Sequence, residues 1–222
     1  MNELALFAGS GLGLVGSRLL NHKVICAVEQ DPFCQQILMA RQEDKSLPPF
    51  PIWDDARTFK GKDWRGLVDV ISAGFPCQPY AVCGKQKGIH DERNLWPDTA
   101  RIISEVRPRF VLLENVPPVI QHMGAILTGD LARMGYSARY GVISAKEANA
   151  PHLRKRWWCV AHANGEHSAK WRKCQTITEA SPRRKVERGR GHSNAEWQIA
   201  VFCTRSRHRI WKKMAHAHFK RL

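Results

Sequence analysis

Cys77, Glu114 and the pair Arg154/Arg156 stand in this 222-residue chain where side chains can do chemistry. Cys77 lies in Gly74-Phe75-Pro76-Cys77-Gln78, directly after the buried-looking run 67–73. A loop at the carboxyl end of a central strand is where open α/β sheets keep their reactive groups, and the flanking proline and glycine shape it. A thiolate there would be a nucleophile, although the commoner fate of a lone cysteine is a small buried thiol. Glu114-Asn115-Val116 follows the apolar run 110–113. A carboxylate in that place is partly desolvated and can hold a proton near neutral pH, with helix capping as the plainer alternative. Arg154 and Arg156 share one face if their segment is extended, and such forked donors suit phosphate or a base carbonyl. A charge run of this kind is also a common solvated face.

Two further features suit a ligand. Phe7-Ala8-Gly9-Ser10-Gly11-Leu12-Gly13 reads as a strand-to-helix turn open enough for a phosphate, or the methionine end of a sulfonium cofactor, to approach the backbone. Tight packing would use the same glycines. Glu29 lies 20 residues after Gly9 at the end of a second apolar run, where an acid can accept both hydroxyls of a ribose. A surface glutamate is the alternative.

These residues need a scaffold that gathers them, and the chain alternates strand and helix signals as a βαβ sheet does. Strands are expected at 4–7, 24–28, 67–73 and 110–113, with edge strands near 137–144 and 157–161. Helices are expected up to about Leu20, from an N-cap at Asp31 to about Arg41, over 95–106, and from about Ala125 to Met134. Pro48-Pro49-Phe50-Pro51 marks a loop before Asp54-Asp55. Gly9, Gly11, Glu29, Asp55, Cys77 and Glu114 mostly fall just past the carboxyl ends of these strands. In a doubly wound sheet those ends form one rim.

Charge divides the chain. Residues 1–162 hold 20 basic and 16 acidic side chains, whereas residues 163–222 hold 15 and four, within a net charge of +15 and a sequence pI near 9.9. So basic a chain points to a polyanion, nucleic acid above all. The stretch from Leu4 to Val15 lacks a basic leader, is broken by glycines and is too short to span a bilayer, so no signal peptide or membrane helix is expected. Seven cysteines at irregular spacing fit reduced thiols and a cytoplasmic setting. Cys159, His162, His167 and Cys174 could be read as zinc ligands, but their spacing matches no common site, and no metal is expected.

Taken together, Phe-Ala-Gly, Glu29, Asp55, Gly-Phe-Pro-Cys-Gln, Glu-Asn-Val and the Arg154/Arg156 pair resemble the cytosine-C5 DNA methyltransferases over about residues 3–162. Gly74 to Tyr80, with Gly84-Lys85-Gln86-Lys87-Gly88, is similar to that family's nucleophile loop. The resemblance implies a Rossmann-like doubly wound sheet that uses S-adenosylmethionine to methylate C5 of a cytosine flipped out of double-stranded DNA, in a bacterial or phage restriction-modification setting. It implies Cys77 as the nucleophile at C6, Glu114 on N3 and the exocyclic amine, and Arg156, supported by Arg154, near O2. Phe7, Ala8, Gly9 and Gly11 would cradle the cofactor, with Glu29 on its ribose, Asp55 on its adenine amine, and Pro76 and Leu95 lining the pocket. Gln78, Lys85, Arg93 and His152 would meet the nucleic acid.

The chain departs from the family pattern in several places. Ala5 replaces the acid usual before the first glycine motif, Ala81 a serine, and His152 a glutamine. Residues 163–222 carry no recognisable target-recognition domain or late cofactor segment. They read as a basic tail, either a disordered arm or a truncated or frame-shifted recognition region. A tRNA cytosine methyltransferase and a non-catalytic remnant that binds DNA or cofactor are the rival readings.

Overall fold

The structure, a computed structural model, describes residues 1–76 and 94–164. Cys77, Gln78, Lys85, Arg93 and nearly all of the basic tail lie outside the described residues.

A seven-stranded sheet organises the chain. It comprises β1 (Asn2–Leu6), β2 (Lys23–Val28), β3 (Ile52–Trp53), β4 (Val70–Ala73), β5 (Phe110–Asn115), β6 (Tyr136–Ser144) and β7 (Lys155–Ala163), in the spatial order β3-β2-β1-β4-β5-β7-β6. The first five strands run parallel, while β7 is antiparallel to both β5 and β6. Central parallel strands are covered on both faces, which is why β1, β2 and β4 read as apolar runs. Leu4 and Leu6 feed one core cluster, and Ala5 between them feeds the other.

Helices α1 (Leu12–Leu19) and α2 (Pro32–Glu43) contribute Leu14 and Leu38 to the smaller core. Helices α3 (Trp96–Val106) and α4 (Val119–Arg133) contribute Trp96, Ile102, Ile103 and Val106, and Val119, Met123, Leu127 and Leu131, to the larger. The spacing of these residues is that of one buried helical stripe. Asp31 caps α2 as expected, its carboxylate accepting from the Phe33 N–H at 2.9 Å, with Pro32 in the first turn.

Three expectations need correction. The 157–161 segment belongs to an inner strand: β7 sits between β5 and β6, with Trp157, Cys159 and Ala161 almost wholly buried. Helix α4 starts at Val119, well before Ala125, because Val119 and Met123 continue the buried stripe across Gly124. The segment after Pro51 forms the short edge strand β3, with Pro51 and Trp53 carbonyls accepting from Ala27 and Glu29 N–H groups. No helix among the described residues is long and apolar enough to cross a membrane.

The chain runs outward from β1 to β3 and then returns to place β4 on the other side of β1. The carboxyl ends of β1 and β4 therefore flank the topological switch point, where such sheets leave a crevice.

Candidate active site

Two cavities open at this switch point, and Phe7 and Gly74 line both. The outer one, about 490 Å³, is bounded by Phe7, Glu29, Asp55, Pro76 and Leu95, together with Val28, Gln30, Asp31, Ala56 and Gly74. The side chains assigned from sequence to the nucleoside half of a cofactor therefore surround one space. Glu29 is almost wholly buried, and both its oxygens are held by backbone: Oε2 accepts from Gly9 N–H at 2.6 Å and Oε1 from Asp31 N–H at 2.9 Å. Each oxygen keeps a second lone pair for a ligand hydroxyl. Asp55 is held by the Arg57 N–H at 2.9 Å and the Arg57 guanidinium at 3.5 Å.

The inner cavity, about 290 Å³, lies between the glycine turn and the ends of β4, β5 and β7. Ala8 and Gly9 line it, as do Ser72, Gly74, Leu112, Glu114 and Trp158. Gly11 lines neither cavity. It caps α1 in the left-handed region (φ 80°), and a Cβ there would sit 2.8 Å from Leu38 Cδ2, so packing also requires a glycine at this position.

Glu114, the last but one residue of β5, lies beside the inner cavity, with its carboxylate 2.9 Å from Arg156 Nε. Burial pushes the Glu114 carboxyl above its ordinary value, against the opposing pull of Arg156 and Arg154. Arg154, drawn below the usual guanidinium value by burial and by the like charge of Arg156, keeps a buried Nε with no hydrogen-bond partner. Such an unpaired donor is costly unless a ligand meets it. A Cβ at Gly74 would sit 3.4 Å from Glu114 Oε2, at ordinary contact distance. His152 is half-buried on the loop before β7.

Several residues of the site carried no sequence assignment. Asn115, buried, donates from Nδ2 to the Phe75 carbonyl at 3.0 Å and accepts the Val116 N–H at 2.8 Å. Trp158 pairs with Glu114 across the β5–β7 ladder and lines the same cavity. Its place two and four residues after Arg156 and Arg154, in an extended segment, was an available signal for that shared face. Ser17 and Ser72 also line the cavity. Two of the three described cysteines are buried thiols: burial pushes Cys26 up to about 11 and Cys159 up to about 12. Among the described residues no group of three or more metal-ligating side chains comes together.

The family model for C-5 cytosine-specific DNA methylases matches residues 1–218, beyond the 3–162 over which motifs are legible. The type II methyltransferase M.NgoMIV of Neisseria gonorrhoeae is 30% identical over 166 residues, 73% of this chain and 52% of the relative. M.SsoII of Shigella sonnei is 32% identical over 167 residues, 70% of this chain and 41% of the relative. The chain thus spans about half the length of these curated relatives. Among solved structures, the Dnmt2 methyltransferase of S. pombe shares the fold with a TM-score of 0.61 at 22% identity, over 86% of this chain and 59% of that one. A carboxylate and two arginines beside a glycine-turn cavity are thus what a matching sequence has built, and the chain belongs to the C-5 cytosine-specific DNA methylase family.

Proposed function

We propose that this chain transfers a methyl group from S-adenosylmethionine to C5 of a cytosine flipped out of double-stranded DNA. The observation that carries the reading is the Glu114–Arg156 pair at 2.9 Å, on the wall of a cavity whose other wall is the glycine turn. Two cavities sharing Phe7 and Gly74 fit an elongated nucleoside–amino-acid cofactor, with Glu29 on the ribose, Asp55 on the adenine amine, Pro76 and Leu95 against the base, and the amino-acid end by Ala8 and Gly9. When bound, the cofactor supplies an electrophilic methyl group.

The residues do the rest. Cys77 as thiolate adds to C6, forming an Sγ–C6 bond, while Glu114 gives a proton or a hydrogen bond at N3. That pushes electron density to C5, which becomes able to take the methyl. Loss of the C5 proton to water, with return to Glu114 of any proton given at N3, then breaks the Sγ–C6 bond and releases the thiolate. Arg156 holds Glu114 and, with Arg154, faces O2. The raised pKa of Glu114 supports its proton-holding role. Gln78, Lys85, Arg93 and His152 would contact the DNA, and residues 163–222, with 15 basic side chains against four acidic, would grip its phosphates beyond a catalytic domain of residues 1–162. A DNA substrate of this kind suits the cytoplasm of a bacterial or phage-infected cell.

The test is transfer of labelled methyl to DNA and to tRNA, together with capture on 5-fluorocytosine DNA. The proposal expects label in DNA and a covalent adduct lost in Cys77→Ala. No adduct from folded, cofactor-binding protein would defeat it, and label in tRNA alone would move the substrate.

A further inference from the structure

The inner cavity ends on a polar floor that neither the reaction nor the motifs use. Glu3, at the start of β1, is 1% exposed and lies on the same strand face as Ala5. Its Oε1 accepts from the Ser17 hydroxyl of α1 at 2.9 Å and from the Ser72 hydroxyl of β4 at 2.5 Å, while Oε2 lies 2.8 Å from Nδ1 of the half-buried His22. A carboxylate taken so far from water needs such partners. The two serines, though, also line the cavity, which Glu3 does not.

A hydroxyl has one hydrogen and two lone pairs. The Ser72 hydrogen is directed at Glu3 and the Ser17 hydrogen at Glu3 or, at 3.4 Å, the Gly13 carbonyl, so the serine oxygens can only accept from whatever enters the cavity. Their surroundings there, Ala5, Leu14 and Gly16, bring no side-chain donor. The floor therefore suits a group rich in N–H and repels a carboxylate. We infer that Ser17 and Ser72, oriented by Glu3, seat the α-ammonium of the cofactor's amino-acid end. This rests on the cofactor reading above and adds to it the residues that tell an amino-bearing ligand from one without the amine.

The experiment is calorimetric titration of the full chain with S-adenosylhomocysteine and with its analogue lacking the α-amino group. Wild type should prefer the amine-bearing ligand by roughly ten- to a hundredfold, the worth of charge-assisted hydrogen bonds. Ser17→Ala and Ser72→Ala should each cut that preference several-fold and the double variant should abolish it, with affinity for the deaminated ligand changed less than about twofold. Ser72→Thr, which keeps the hydroxyl, should retain the preference. Should an alanine variant not fold, Glu3→Gln serves instead: its amide can donate to a serine oxygen, so the preference should again fall. A preference unchanged in these variants, or equal losses for both ligands, would overturn the inference while leaving the cofactor reading standing. Failure of wild type to bind either ligand would overturn both.

Discussion

Asn115 Nδ2 donates to the carbonyl oxygen of Phe75, so the strand that presents Glu114 also fixes the backbone two residues before Cys77. One residue of β5 faces the inner cavity and the next secures the loop in which the proposed nucleophile lies. Replacing Asn115 by the near-isosteric leucine should leave a buried carbonyl unpaired and cost about 1–3 kcal/mol. Turnover should fall while cofactor affinity, read by calorimetry, stays near wild type; loss of both together would mean general unfolding.

Glu114→Gln should lower methyl transfer by about 10²–10⁴-fold, the usual weight of a positioned acid, with cofactor binding little changed. The same variant tests the titration. Because burial raises the folded-state pKa of Glu114, the native chain holds a proton that the unfolded chain releases. Relative to Glu114→Gln, wild type should therefore lose stability as pH rises from the ordinary carboxylate range through the raised value. Thermal melts of the two proteins across that range measure it, and parallel curves would contradict it.

Arg156→Ala removes a charge that opposes the rise. The Glu114 carboxyl should then titrate higher still, moving the corresponding limb of the pH–rate profile upward as the maximal rate falls. A limb that stays put would mean the profile reports another group.

Gly11→Ala should destabilise the fold by about 1–3 kcal/mol, since φ of 80° disfavours a side chain and the added Cβ would press on Leu38 and Leu47. Its effect on cofactor affinity at a temperature where the protein is folded should be under about threefold. Glu29→Ala should do the reverse by calorimetry, weakening cofactor binding by roughly tenfold or more through lost hydroxyl contacts and a freed Gly9 N–H.

Apolar runs, the Asp31 cap and the placement of polar residues after strands were enough to read the doubly wound sheet and the rim. Strand β3 escaped because two residues leave no periodicity to detect, and β7 read as an edge because its alternation resembles that of a half-exposed strand. The Glu3 cluster left no trace in the sequence. Its serines stand 14 and 69 residues away, and only the meeting of β1, β4 and α1 makes them neighbours. Gly11 shows the opposite difficulty: a glycine-rich turn looks the same whether its glycines meet a ligand or Leu38.

The reversal of β7 has a consequence for how the rim is furnished. Every other strand contributing to it runs toward the rim, so Phe7, Glu29, Gly74 and Glu114 come at or just after strand ends. A strand running away from the rim delivers residues at its beginning, which is why Arg154 comes just before β7 and Arg156 is its second residue. Had these nine residues run the other way, the rim would have received His162 and Ala163. Arg156 would then lie some seven residues down the strand, roughly 20 Å away at strand rise. The direction of a single strand thus decides whether the carboxylate has a cation beside it.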